Sequence, residues 1–146
     1  MAAKVNWDFI RNGYFDDEQK AIVREDLFTE HADRFGALFA ARGHTLSSTQ
    51  LRAFYGDAKL LEEKMKMGGT TITPEAFQQN RYLVRMLKAK VSHAQGKKTG
   101  QRVSIEFRDY IHKCVDAIQD EKDFMAFMKF FESTVGFFFG HGGGRK

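Results

Sequence analysis

Apolar residues recur every three or four positions along most of the chain, and no long segment alternates with a period of two. The first spacing places apolar side chains on one face of an α-helix, whereas alternation would indicate strands. The pattern therefore predicts an all-α protein, a compact bundle of about five helices. These helices are predicted over residues 16–42, 49–67, 74–95, 104–119 and 122–139.

Local signals mark the ends of the helices. A hydroxyl or carboxylate just before a helix accepts hydrogen bonds from its first free N–H groups, and Pro74 and Gly96 stand where a helix starts and stops. The first helix has a different signal, because acidic residues follow Asp16 and a glycine ends the segment. The predicted caps are Ser47 or Ser48, Thr73, Ser104 and Asp120.

Length and composition predict one domain. The chain has 146 residues, with 42% hydrophobic and 29% charged residues, which is typical of a globular protein. We expect a single helical domain over residues 1–146, with an irregular N-terminal arm at 1–15 and a flexible glycine-rich tail at 140–146. The lone Cys114 fits a reducing cytoplasm, and no run approaches the ~20 apolar residues that cross a bilayer. A cytoplasmic protein without a membrane partner is therefore expected.

Positive charge is concentrated in one stretch, RYLVRMLKAKVSHAQGKKTGQR, at residues 81–102. It holds seven basic residues, and no acid occurs from Ala76 to Ile105. The rest of the chain has 16 basic and 19 acidic residues, so the whole positive excess is local. A basic patch on a slightly acidic body predicts a site for a polyanion such as RNA.

Helical geometry places Arg81, Arg85 and Lys88 on one side of the third helix. An ordinary outer face would mix charges, because Glu–Lys pairs four residues apart support a helix, whereas this face carries none. The loop after the helix extends the basic stretch, and the second helix could widen it. The predicted RNA-binding residues are Arg52, Lys59, Arg81, Arg85, Lys88, Lys90, Lys97, Lys98 and Arg102.

Aromatic residues leave two interpretations open. Tyr82, Phe54 and Tyr55 could stack on bases, although aromatic residues at helical spacing are more often part of a core. Seven of the 15 phenylalanines fall between Phe124 and Phe139, and they cover more than one face of the last helix. Such a helix must be buried either in the core or against a partner, and a second copy of the chain is one such partner.

No motif for catalysis or for a cofactor stands out. The GKKTG segment at 96–100 matches neither a phosphate-binding loop nor the GXXG loop of KH domains. Arg24 and His31 have a spacing used by some helical ribonucleases, but about one such pair is expected by chance from ten arginines and five histidines. His112 and Asp116 are interpreted as a surface pair, and Cys114 has no nucleophile arrangement around it. We therefore expect no catalytic residues, no metal and no cofactor.

Three segments together resemble a known family. LRAFYGDAKLL (51–61), NRYLVRMLKAKVSHAQGKK (80–98) and FMAFMKFFESTVGFFFGHGGG (124–144) are similar to the small subunit of type III-A CRISPR effector complexes, the Csm complex. The resemblance implies a non-enzymatic helical bundle that stacks in several copies along a filament of backbone subunits. It also implies contact with guide and target RNA, and it places Arg52 and the segment Arg85–Lys90 in the RNA-facing regions.

The partners implied by the resemblance are guide RNA, target RNA, the repeating backbone subunit and the large polymerase-like subunit. Two other functions stay open from the residues alone. The first is a purely protein-binding subunit, whose basic stripe meets an acidic partner and whose Phe-rich helix drives assembly. The second is a small helical ribonuclease that uses Arg24 and His31.

Overall fold

The fold is an all-α bundle, as the apolar spacing predicts. The computed structural model describes residues 5–41, 46–96 and 103–144. A π-helical turn, Leu27–His31, leads directly into the first α-helix. The five α-helices are α1 (Ala32–Ala40), α2 (Ser48–Lys66), α3 (Pro74–Gln95), α4 (Ile105–Asp116) and α5 (Glu121–Gly140).

The predicted boundaries of α2 to α5 are confirmed to within three residues, because each helix starts at its predicted cap. Each capping side chain accepts a hydrogen bond from the backbone N–H three residues later, at 2.9–3.2 Å. Gly96 ends α3 as predicted. The four caps are Ser47, Thr73, Ser104 and Asp120.

The predicted first helix is wrong in its N-terminal half. The Asp17 carboxylate accepts hydrogen bonds from the backbone N–H groups of Ala21 and Ile22, which closes a loop instead of starting a helix. An isolated antiparallel bridge joins Phe15 to Val23 across this loop. Lys20 has a left-handed backbone with φ of 57°, a conformation that interrupts a helix.

The Lys20 side chain attaches this loop to the start of α5. Its Nζ atom lies 2.7 Å from Asp120 and 2.9 Å from Asp123. Partial burial lowers the pKa of Lys20, but its hydrogen bonds with the two carboxylates outweigh this effect and raise it. The loop conformation is therefore stabilised by residues about a hundred positions later in the chain.

The Phe-rich helix α5 lies in the core. Its phenylalanines pack in tilted, edge-to-face and stacked pairs with one another and with rings from the arm, α2 and α4. Burial within the chain thus accounts for most of this helix, and its contact with a second copy of the chain stays a prediction. The buried phenylalanines of α5 are Phe124, Phe127, Phe130, Phe131 and Phe138.

Both terminal segments contact the bundle where the structure describes them. Residues 5–13 form successive turns that contain no regular helix, and Phe9 and Tyr14 are buried, with the Tyr14 hydroxyl donating to the carbonyl of Cys114. After α5, Gly143 is buried against the Phe138 ring, and its N–H donates to the Phe138 carbonyl at 2.8 Å. The flexibility of the tail stays a prediction, and residues 145 and 146 lie outside the described part.

Within the described ranges, no helix combines the length and the apolar character needed to span a membrane.

Candidate nucleic-acid interface

Arg85 caps a neighbouring helix. Its Nη1 atom donates to the carbonyl oxygen of Val115 at 2.8 Å, and its Nη2 atom donates to that of Ile118 at 3.0 Å. These carbonyls lie at and just after the C-terminal end of α4, where carbonyl groups lack the full set of intrahelical donors, although the Val115 carbonyl also accepts from the Ile118 N–H. The Arg85 guanidinium therefore has a structural role that requires no RNA.

Lys88, one turn further along the same side of α3, also reaches α4. Its Nζ atom lies 2.6 Å from Asp116 Oδ1, and both side chains are partly exposed. Exposed ion pairs contribute little to stability, so Lys88 could exchange Asp116 for a phosphate at small cost. Arg81 is half-buried on this side and forms no hydrogen bond or ion pair with another described residue.

Lys59 neutralises a buried acid on α2. Its Nζ atom lies 2.8 Å from one carboxylate oxygen of Glu62, and Lys66 lies 3.4 Å from the other oxygen. Glu62 is only 3% exposed, and an unpaired buried carboxylate would be costly. The hydrogen bond with Glu62 raises the pKa of Lys59. Lys59 therefore compensates the charge of Glu62, which makes it a weak candidate for RNA.

The Arg52 guanidinium is not paired with a described acid, and an aromatic ring holds it in position. Its guanidinium carbon lies 4.9 Å from the centroid of the Phe139 ring, in a cation–π contact between α2 and the end of α5. The side chain is exposed, and no described acid pairs with it. A guanidinium stacked in this way still presents its N–H donors to a phosphate.

Lys90 lies on a different side of α3 from the other predicted cations. It follows Arg81 by nine residues, which is half a turn around the helix and about 13 Å along it. Lys90 is exposed, and it borders a groove between α2 and α3. Among the described residues, it has no ion-pair partner.

Four segments meet at one end of the bundle, which we call the loop end. The start of α2, the end of α3 and the start of α4 line the groove together, through residues such as Gln50, His93 and Val103. The tail after α5 lies there as well, since a Cβ atom at Gly144 would lie 2.7 Å from the Cβ atom of Ser48. The loop end comprises the described residues of 47–53, 89–96, 103–108 and 139–144.

The predicted cations therefore do not form one line along α3. Arg52 and Lys90 lie at the loop end, whereas Arg81, Arg85 and Lys88 lie along the contact between α3 and α4. Three further predicted RNA-binding residues, Lys97, Lys98 and Arg102, lie outside the described residues, in the segment that connects Gly96 to Val103.

Arg108 is a cation at the loop end that the sequence interpretation missed. Its Nη1 atom donates to Gln95 Oε1 at 3.4 Å, while Nε and Nη2 bind the carboxylate of the adjacent Asp109. It is half-buried against the end of α3. The acid-free stretch ends three residues before Arg108, so the position of Arg108 on the first turn after the basic loop was the available signal.

The three aromatic candidates for base stacking have different environments. Phe54 is buried, at 5% exposure, and packs on Phe107 and Phe131. Tyr55 packs edge-to-face on Phe131 and is half-buried. Tyr82 is 61% exposed, so it alone among the three presents a ring to solvent.

Arg24 and His31, the candidates for a ribonuclease site, meet at Asp26 and do not open to solvent as a pair. Arg24 binds the Asp26 carboxylate and the Gly13 carbonyl, and His31 Nε2 lies 3.2 Å from Asp26 Oδ2. The hydrogen bond from Arg24 lowers the pKa of Asp26. His31 is 7% exposed, and its Nδ1 atom is buried without a hydrogen-bond partner. This geometry is that of a structural network of polar contacts around Asp26.

Other candidate chemistry has structural explanations. His112 does not pair with Asp116, because its Nε2 atom lies 2.9 Å from Ser92 Oγ and 3.2 Å from the Lys88 carbonyl. Burial raises the pKa of the Cys114 thiol well above its usual value, which disfavours the reactive thiolate. Across the described ranges, no group of three or more His, Cys, Asp or Glu side chains could hold a metal ion.

Comparison with protein families identifies the family of this chain. The family model described as Csm2 Type III-A matches residues 23–143, which is most of the chain. The chain belongs to the Csm2 Type III-A family. It is thus a small subunit of the type III-A CRISPR Csm complex, in a family of structural small subunits, and its partners lie within that complex. Neither curated proteins nor solved structures give a significant match.

The Csm2 match confirms the family resemblance drawn from three segments of the sequence, and it covers all of their residues except Gly144. It begins at residue 23, after the loop closed by Asp17, and ends at residue 143, next to the last described residue. All five α-helices fall inside it.

Proposed function

We propose that this Csm2 protein is a non-catalytic RNA-binding subunit that contacts the backbone of guide and target RNA through the loop end. The proposal is carried by one observation. Arg52 and Lys90 project from the loop end without an acidic partner among the described residues, and the acid-free segment 76–105 passes through it. Lys97, Lys98 and Arg102 would add three positive charges to the same segment of the chain.

The mechanism is electrostatic. Lysine and arginine neutralise phosphates and release counterions, so the affinity depends steeply on salt and barely on sequence. Reading of the target sequence is then left to base pairing between guide and target, while the protein senses the backbone. Arg85 and Lys59 are not needed for this contact, since each already serves an internal partner.

The wider assembly is also part of the proposal. Several copies of the subunit would stack along the filament of backbone subunits, with the large polymerase-like subunit at one end, in the cytoplasm. Exposed apolar side chains on the outer faces of α2 and α3, namely Leu60, Tyr82 and Met86, suit contacts with such protein neighbours. The same residues support the alternative of a subunit that binds proteins alone, so RNA binding must be tested directly.

The loop-end cations can be tested by charge removal. We expect the double variant Arg52→Gln/Lys90→Gln to bind single-stranded RNA about tenfold more weakly at low salt than the unmodified protein. The slope of log affinity against log salt should fall by about 1.4, since each lost phosphate contact removes about 0.7. Fluorescence anisotropy with a labelled oligoribonucleotide measures both quantities.

The matched control is Lys64→Gln/Lys113→Gln, which removes the same charge from exposed lysines outside the loop end. If the control loses as much affinity as the loop-end variant, net charge rather than the loop end determines binding. If the unmodified protein shows no salt-sensitive binding, the protein-only alternative is correct. Circular dichroism should show equal helix content for all variants.

A further inference from the structure

The groove at the loop end, which we call the slot, is mostly apolar and has small side chains on its sides, so it leaves room for a flat apolar group. It lies between α2 and α3 and has a volume of about 430 Å³, within the range of roughly 300–1,000 Å³ for small-molecule pockets. Ala53 and Ala89 are exposed on its two sides, and Ala94 lies further along. Phe54 and Val103, both buried, form its floor. Small side chains thus leave an open apolar surface between two helices.

Charged and polar side chains stand around this apolar surface. Lys90 and His93 border the groove on the α3 side, and neither pairs with a described acid. Asp57 borders it on the α2 side and is exposed. A phosphate would be attracted to Lys90 and repelled by Asp57, so a nucleic-acid backbone would follow the α3 side. A base attached to that backbone would then point across the groove.

We propose that this groove holds one unstacked base of single-stranded RNA, while Lys90 binds the adjacent phosphate; this inference rests on the proposed function. A base has two apolar faces and polar edges, which fits an alanine-walled slot with polar groups at its rim. Gln50 and Asp57 at the rim lie where the base edges would emerge, and they can pair with amide and amino groups of the base.

The slot implies a preference for single strands. In a duplex every base is paired and stacked, and unstacking costs free energy that a single strand does not incur to the same extent. The phosphates of a duplex can still contact Lys90 and Arg52, but no base can enter the groove. The subunit should therefore bind single-stranded RNA more tightly than a duplex of the same length.

Filling the groove tests the inference. Ala89→Leu adds three carbons at an exposed helical position, so the fold should tolerate it, and Ala53→Leu fills the groove from the opposite side. Each variant should bind a labelled single-stranded oligoribonucleotide about tenfold more weakly, because the contribution of one base contact is lost. Affinity for an RNA duplex and for an abasic oligoribonucleotide should stay unchanged. Gln78→Leu, exposed near the other end of α3, is the control and should change none of these.

The possible results distinguish a failure of base binding in the groove from a failure of the proposed RNA binding at the loop end. If the unmodified protein binds RNA and Ala89→Leu binds it equally well, the slot is wrong and the loop-end contact stands. If Ala89→Leu weakens binding to the abasic probe as much, the groove contacts phosphates and the slot is again wrong. If Ala89→Leu binds RNA normally but no longer assembles with the backbone subunit, a protein side chain occupies the groove. Absence of RNA binding by the unmodified protein would remove both proposals together.

Discussion

Gly36→Ala is expected to destabilise the protein by about 1–3 kcal/mol, although alanine is the better helix former by about 1 kcal/mol. Gly36 lies where α1 crosses α5, and it is buried. A Cβ atom there would lie 2.6 Å from the Cβ atom of Phe137 and 2.8 Å from the backbone nitrogen of Phe138. Backbone atoms of α5 cannot rotate away from this clash as the end of a side chain can. The helices α1 and α5 would therefore have to move apart.

Chemical denaturation measures this effect, and a glycine in open space provides the control. Gly56 is within α2, and a Cβ atom there would meet nothing within 4 Å. Gly56→Ala should therefore stabilise the protein by about 0.5–1 kcal/mol. The same change from glycine to alanine should thus alter the free energy of unfolding in opposite directions at the two positions. A chain of this size shifts its Tm by about 2–4 °C for each kcal/mol. A stabilised Gly36→Ala variant would show that α1 and α5 do not cross as closely as described.

Arg85→Met is expected to reduce stability by about 1–3 kcal/mol while leaving RNA affinity within about twofold of the unmodified protein. Methionine keeps much of the apolar stem but donates to neither Val115 nor Ile118, so the Ile118 carbonyl loses its Arg85 donor and the Val115 carbonyl keeps only backbone donors. Arg85→Lys should recover only part of the loss, since an ammonium group cannot match the two-pronged geometry of a guanidinium.

The comparison variant is Arg81→Met, one turn earlier on the same side of α3. Arg81 binds no other described residue, so its replacement should change stability by less than about 0.5 kcal/mol. Urea unfolding gives the stabilities, and anisotropy at equal folded concentration gives the affinities. A stable Arg85→Met protein that binds RNA more than fivefold more weakly would place the guanidinium on RNA instead of on α4.

Sequence reasoning was accurate where the deciding interaction is local. A capping side chain and the N–H group that it binds are three residues apart, so α2, α3, α4 and α5 could be delimited without knowledge of the fold. The conformation of segment 16–24 could not be predicted in this way, because its acidic residues are typical of the first turn of a helix. The interaction that decides its conformation joins Lys20 to Asp120 and Asp123, about a hundred residues away.

The candidate site was predictable only in part for a related reason. Helical spacing correctly put Arg81, Arg85 and Lys88 on one side of α3, but spacing cannot say what lies opposite that side. Here the end of α4 lies opposite, and the carbonyls of Val115 and Ile118 accept hydrogen bonds from Arg85. The acid-free run indicates the region of the chain in which the proposed site lies, while the grouping of Arg52 with Lys90 depends on how α2 packs against α3.

The position of α5 has a consequence for biosynthesis. This helix is the last described one to leave the ribosome, yet its phenylalanine rings pack on Phe9 and on rings of α2 and α4. Until it emerges, the growing polypeptide has no partner for those aromatic surfaces. At synthesis rates of about 5–20 residues per second, they stay exposed for several seconds. We therefore expect this subunit to complete its fold only after α5 has left the ribosome.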